Sequence, residues 1–336
     1  MEVDTLIKQA NQVYNDNWPQ TTLFERAIFC SWSCEIGDCK FCYMSSQPKG
    51  SEDNSKKRRT QASILAEALL CRKYGWEIGF VTGGMHIWKH EELLELFKNI
   101  YAVYGEKFWI SFGPLSKDQV IAYTPFAKGV VGSTETIEPK LHKKVCPSKP
   151  IEPYTKMFEY ADSLGLKKAM TMIVGLGEKH EDFELLKEFI TKYKIDKIHL
   201  YCLNPQKGTY FENAKSPSKE EQAWWISKTR ISFPKIDIQL GIWLDKIERI
   251  SYLLNSGANS ISKFPITSAF GKKQAQEIEI EAKKANREFK GTLTKIIDID
   301  WEKELAKIDI DEDLKKQVIE KVLQYERKMK RNVENS

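Results

Sequence analysis

The stretch Glu25-Arg-Ala-Ile-Phe29-Cys30-Ser-Trp-Ser-Cys34-Glu-Ile-Gly-Asp-Cys39-Lys-Phe-Cys42 joins a short apolar run to a loop carrying four of the chain's seven cysteines. Glu25 to Phe29 reads as a strand, so the cysteines follow its C-terminal end. Cys71, Cys146 and Cys202 stand singly and read as buried small residues. Thiolates this close can reach one metal centre, and their softness selects zinc or iron–sulfur. Disulfides are disfavoured: Met-Glu-Val-Asp-Thr-Leu-Ile-Lys at the start lacks the shape of a signal peptide, and the chain is too large to need staples. Four cysteines could close a structural zinc tetrahedron. An iron–sulfur cluster needs only three, and Cys39-Lys-Phe-Cys42 supplies two. Three thiolates on a four-iron cube would leave one iron open to another ligand.

Outward from this loop a rhythm begins. Helix Ala62–Tyr74 leads to strand Glu77–Val81, Glu91–Tyr104 to Phe108–Phe112, and Lys117–Tyr123 to Gly129–Gly132. Tyr154–Leu164 leads to Ala169–Val174, Glu181–Tyr193 to Lys197–Cys202, and Lys219–Ile231 to Asp237–Ile242. Ile247–Ser256 leads to a last strand near Asn259–Lys263, and a helix over Lys273–Arg287 closes the series. Alternating strands and helices imply a parallel sheet, and eight strands imply a closed (β/α)8 TIM-type barrel rather than a doubly wound sheet. In such a barrel the functional groups lie on loops after strand C-termini, which is where the cysteine loop falls.

At the N-terminal side, residues 4–17 read as an amphipathic helix that plugs one end of the barrel, giving an N-terminal helix (1–20) ahead of the barrel (21–290). Ser51–Arg59 reads as a polar, basic surface loop. Residues 291–336 form a C-terminal helical extension, with a helix over Asp313–Arg331 as a lid, a dimer contact or, more simply, a solvated packing helix. The last six residues read as disordered. The net charge of +5 comes from 52 basic and 47 acidic residues mixed along the chain, so it describes a solvated surface and not a nucleic-acid footprint. No apolar run approaches the ~20 residues of a membrane span. A cytoplasmic, reducing environment follows from the clustered free cysteines.

The loop resembles the cluster loop of radical S-adenosylmethionine (SAM) enzymes, Cys-x3-Cys-x-aromatic-Cys, with a widened gap before Cys39. The resemblance implies a [4Fe-4S] cluster on Cys34, Cys39 and Cys42, with Cys30 as the alternative first ligand, and SAM on the open iron. Other stretches resemble the biotin-synthase-like branch. Thr82-Gly83-Gly84-Met85 is similar to its Gly-Gly-Glu element, with only the backbone role preserved. Glu135-Thr136 looks like its Glu-Thr element, and Met172-Ile173-Val174-Gly175-Leu176-Gly177-Glu178 resembles its strand-five motif, where Ile173 and Val174 would meet adenine. Leu203-Asn-Pro205-Gln-Lys-Gly208-Thr209 is similar to the Pro-x-x-Gly-Thr loop of biotin synthase, the maturase HydE and methylornithine synthase. The resemblance thus places Tyr43, Thr82, Gly83, Gly84, Glu135, Thr136, Ile173, Val174, Gly175, Glu178 and Leu203 around the cofactor.

Biotin synthase itself is rejected, because Lys167–Thr171 lacks the expected cysteine and Gln239 stands where its arginine would be. The longer string Cys-Ser-Trp-x-Cys-x-Ile-Gly-Asp-Cys-Lys-Phe-Cys-Tyr-Met-Ser resembles the HmdB/HcgA family, which acts in making the iron-guanylylpyridinol cofactor of [Fe]-hydrogenase. That resemblance implies a small-molecule substrate, a ferredoxin or flavodoxin as reductant, and other cofactor-maturation proteins as partners. Two competitors stand beside it: a radical SAM lyase or mutase resembling tyrosine lyase, HydE or methylornithine synthase, and a non-catalytic zinc-binding scaffold protein.

Overall fold

Strand order fixes the architecture. The computed structural model describes residues 2–47 and 57–336. Eight parallel strands pair strictly in sequence order: β1 (Glu25–Phe29), β2 (Glu77–Thr82), β3 (Phe108–Ser111), β4 (Ala127–Glu135), β5 (Lys167–Val174), β6 (Lys197–Cys202), β7 (Asp237–Gly241) and β8 (Ser260–Ser262). β8 meets β1 through one backbone bridge, Phe24 with Ile261, so the (β/α)8 barrel is nearly closed with a thin seam. The expected strands and helices stand within a few residues of their expected bounds. β4 runs longer, from Ala127 to Glu135, with a register break between Gly132 and Glu135. A short helix, Pro139–Val145, was missed because the two turns that follow the strand carry little periodicity.

Alternation along each strand makes two cores. Arg26, Ile28 and Cys30 on β1 face the surrounding helices, while Glu25, Ala27 and Phe29 face the barrel interior. The interior layer of Ala27, Phe80, Trp109, Val131, Ala169 and Tyr201 fills the middle of the barrel.

Below that layer, Glu25 is fully buried and accepts hydrogen bonds from Lys197 Nζ (2.6 Å), Ser260 Oγ (2.5 Å) and Gln239 Nε2. Lys197 also reaches Asp237 at 2.8 Å. Burial pushes the Glu25 carboxyl up, but the Lys197 charge and the three hydrogen bonds outweigh it and hold the group below its usual range. Gly79 is required beside it, because a Cβ there would come within 2.8 Å of both Glu25 and Gln239.

Several expectations need correction. The N-terminal helix, Val3–Asn17, does not plug the barrel: it packs along helix Lys219–Ser232, with Trp18 Nε1 donating to Pro234 O at 2.9 Å. A cavity of about 910 Å³ remains at that end, lined by Tyr14, Trp18, Glu77, Lys128 and Asp237 among others. The strand Thr21–Leu23 pairs with Glu288–Lys290 in a separate two-stranded parallel sheet that binds the two margins of the barrel segment together.

Most of the expected loop Ser51–Arg59 lies outside the described residues, but its end is no solvated run. Arg58 bonds Glu92 and Ile87 O, and Arg59 bonds Glu67, Ser63 and Phe29 O. The C-terminal tail is not disordered: helix Glu312–Glu334 continues almost to the end. It buries Val318, Val322 and Met329 against helix Gln61–Tyr74, and Asn332 Nδ2 donates to Ser268 O. Helix Gln61–Tyr74 is accordingly buried on nearly every side, as a helix sandwiched between a barrel and a second helix must be.

Removing one partner of a buried ion pair leaves the other charge uncompensated. Glu25→Ala is therefore expected to lower unfolding free energy by about 3–5 kcal/mol in urea titration. Removal of the exposed Glu184 from its pair with Lys187 should cost at most about 1 kcal/mol. Because the folded Glu25 pKa is depressed, its stabilisation exists above the ordinary carboxylate range and is lost as pH falls through the folded value. Acid unfolding of Glu25→Gln should therefore show a weaker pH dependence than that of the parent.

Candidate functional site at the C-terminal mouth of the barrel

The cysteine loop leaves β1 at Cys30, whose N–H still continues the ladder by donating to Thr82 O at 2.7 Å. That pairing fixes the direction of the Cys30 side chain. It points into the outer core, is wholly buried, and lies near Arg59 and Glu67, where burial pushes its thiol well up. Cys34, Cys39 and Cys42 lie farther along, half-buried and free of disulfides. Cys30 thus lies in the outer core, while Cys34, Cys39 and Cys42 stand half-buried on the loop.

The loop is seated on the turn after β2. Ser31 Oγ accepts from Gly84 N–H (2.9 Å), Met85 N–H points at Cys34 Sγ (3.3 Å), and Glu35 N–H donates to Met85 O (3.1 Å). Only glycine fits at 84: a Cβ there would stand 1.7 Å from Ser33 O. Thr82 Oγ1 donates to Ser111 O at 2.7 Å, and Gly83 packs close to Ser31 and Phe112. Cys42 N–H closes a turn onto Cys39 O, and Tyr43, half exposed, opens a single helical turn to Ser46. On the far side, Lys40 N–H donates to Val145 O, and the loop after β6 approaches Ser46 at Gly208.

At the end of β4, Glu135 adopts the left-handed φ of 64°, which turns its carboxylate inward. Lys149 Nζ binds one oxygen at 2.9 Å and Thr171 Oγ1 donates to the other at 3.0 Å. Burial alone would drag the Lys149 ammonium down, but Glu135 overrides it and holds it well above its ordinary value. Thr136 is buried behind this pair, and His142 spans Thr136 O and Lys149 O through its two ring nitrogens.

The strand-five motif divides between two faces. Ile173 lies inside, packed against the cluster that contains Leu203, whereas the Val174 side chain faces the outer core. Gly175 and Gly177 have φ of 104° and 123°, and the Glu178 carboxylate accepts from the N–H groups of Gly175 (2.5 Å), Leu176 (2.9 Å) and Gly177 (3.1 Å). Glu178 therefore shapes its own loop.

Three residues escaped the sequence reading. Cys146 is buried as expected but adjoins Cys39, and a hydrogen bond between the thiols lowers the Cys39 pKa against the opposing effect of burial. Burial instead raises the Cys42 thiol to about 11. Lys149 had no signal except its place in Cys146-Pro-Ser-Lys149-Pro. Lys263 follows β8, where a lysine at a barrel mouth was a readable cue.

The donor set fits an iron–sulfur cluster in chemistry: three free thiols on one loop, at the functional end of the barrel, over a glycine backbone. Among the described residues no group of three or more such side chains is gathered closely enough to hold a metal ion. The family model described as the Radical SAM superfamily matches residues 29–190, from the end of β1 through the helix before β6. The chain is 36% identical over its whole length to the uncharacterized protein MJ0597 of Methanocaldococcus jannaschii, covering 98% of that protein.

The chain belongs to the radical SAM superfamily. It is 27% identical to biotin synthase of Thermodesulfovibrio yellowstonii over 73% of this chain and 78% of that one. In fold, this radical SAM barrel is similar to methylornithine synthase (PylB), with a TM-score of 0.66 at 20% identity over 77% of both chains. It is also similar to HydG, a maturase of the [FeFe]-hydrogenase, with a TM-score of 0.67 at 11% identity over 99% of this chain and 86% of that one. The scaffold reading gives way to an enzyme of this superfamily. No helix among the described residues is long and apolar enough to cross a membrane.

Gly84→Ala is expected to push the Ser33–Cys34 backbone out of its seat. Iron loading of the purified protein should fall by about half or more, with the far-ultraviolet circular dichroism of the barrel unchanged.

Proposed function

We propose that Cys34, Cys39 and Cys42 hold a [4Fe-4S] cluster that binds SAM, and that the enzyme acts on a small precursor in the building of the iron-guanylylpyridinol cofactor of [Fe]-hydrogenase. The observation that carries the ligand set is the separation of Cys30 from the other three cysteines by the pairing of β1 with β2. The cofactor assignment draws on the resemblance of the loop through Tyr43 to the HmdB/HcgA family. When bound, the cluster and SAM supply one-electron cleavage of the sulfonium to a 5′-deoxyadenosyl radical, with the electron delivered by a ferredoxin or flavodoxin.

The chain's own residues bind, orient and exclude water. Gly83 and Gly84 let the backbone come close to the amino end of SAM, and Glu135, steadied by Lys149 and Thr171, offers a carboxylate edge to its polar groups. Ile173 and Leu203 form an apolar wall for the adenine, and Gly175 leaves that wall flat. Tyr43 and Thr136 flank this pocket from the cluster loop and from behind Glu135. The aromatic layer of Phe80, Trp109 and Tyr201 below keeps bulk water from the reaction chamber.

Serine in place of Cys34, Cys39 or Cys42 should abolish 5′-deoxyadenosine formation under anaerobic reduction, while Cys30→Ala should retain most of it. Retained activity in Cys34→Ser together with loss in Cys30→Ala would falsify the ligand assignment. Glu135→Gln should bind SAM about tenfold more weakly or worse by equilibrium dialysis, with cluster content unchanged.

A further inference from the structure

Among the described residues the Lys263 side chain is a cation without a counterion. The residue follows β8 in the left-handed conformation, φ 70°, which a non-glycine residue adopts at a cost. Its ammonium sits over three rings, 5.3 Å from Phe29, 5.3 Å from Phe80 and 4.7 Å from Tyr201, contributed by β1, β2 and β6. These rings line the barrel interior, so the side chain crosses from the seam toward the middle of the mouth. Among the described residues no carboxylate pairs with it. Glu135 is the carboxylate whose charge it feels, but the oxygens of Glu135 are bonded to Lys149 and Thr171. The Tyr201 hydroxyl donates to Gln239 instead.

Aromatic faces stabilise the cation partly and accept none of its three strong hydrogen bonds. A half-buried ammonium in that state costs free energy unless something supplies acceptor oxygens. Burial accordingly lowers its pKa to about 8, in contrast to Lys149 and Lys197, whose carboxylate partners hold them up.

We propose that Lys263 binds the carboxylate of the substrate, so that the enzyme acts on a small carboxylic acid held with its anionic end against the aromatic layer at the base of the mouth. This rests on reading the mouth as the reaction chamber. A single ammonium ringed by aromatic carbon offers one charge. That suits a monoanionic carboxylate, whereas a phosphate dianion would call for a fork of guanidinium donors or a nest of backbone N–H groups. Anchoring one end on the aromatic layer leaves the rest of the substrate directed up toward the cysteine loop, the orientation that hydrogen abstraction needs.

The test uses the reconstituted full chain with SAM present, and 19F NMR of trifluoroacetate and 4-fluorobenzoate beside their neutral amides. At least one carboxylate should bind the parent protein with a Kd of about 1 mM or tighter, and its amide about tenfold more weakly. Lys263→Met should lose about tenfold in carboxylate affinity, and Lys263→Arg should keep it within about threefold. Binding of neither carboxylate by the parent, equal binding of acid and amide, or undiminished binding by Lys263→Met overturns the proposal. Should Lys263→Met not fold, the contrast of acid with amide in the parent still decides. Slow release of 5′-deoxyadenosine without substrate is followed in parallel. Its absence in every protein, the parent included, would count against the radical reading and leave the anion result standing.

Discussion

The barrel closes on a carboxylate. Seven of the eight strand boundaries are zipped by backbone ladders, but β8 meets β1 by a single bridge. Side chains make up the deficit: Glu25 on β1 draws Lys197 from β6, Gln239 from β7 and Ser260 from β8 onto one buried centre. This network fixes where β1 begins and, through the strand, where the cysteine loop leaves it. It also gives the barrel floor polar groups that bond one another. The His199 ring, which shares Gln239 with the Tyr201 hydroxyl, is kept neutral by the same burial, its pKa lowered to about 3.

Strand alternation then sorts the chemistry. One step along β1 separates Phe29, which faces the ammonium of Lys263, from Cys30, which faces helices. The same rule separates Ile173 from Val174 on β5. Residues adjacent in a motif are therefore divided between the reaction chamber and the packing layer. The chain in the mouth is shaped by close backbone approach, as at Gly84, and by residues held in the left-handed region, as at Glu135 and Lys263.

Periodicity made the barrel readable. Strands such as Lys197–Cys202 and helices such as Lys117–Tyr123 carry a strong local signal, and the cysteine spacing named the functional end. What stayed hidden depends on distance in three dimensions. Nothing local in Cys146 says that the turn and helix after β4 bring it to Cys39, and nothing local in Lys149 says that it pairs with Glu135. The polar run ending in Arg59 looks solvated until Glu67 and the C-terminal helix cover it. Reading the strand-five motif as a unit hides that alternation divides Ile173 from Val174.

The most direct test of the central claim is spectroscopic. The full chain is reconstituted anaerobically with iron and sulfide, reduced, and examined by electron paramagnetic resonance before and after SAM is added, with iron counted per chain. The account predicts about four irons per chain, a reduced-cluster signal that changes on addition of SAM, and loss of that signal in Cys39→Ser. Tightly held zinc, or a cluster signal indifferent to SAM and to the Cys39 substitution, would contradict it.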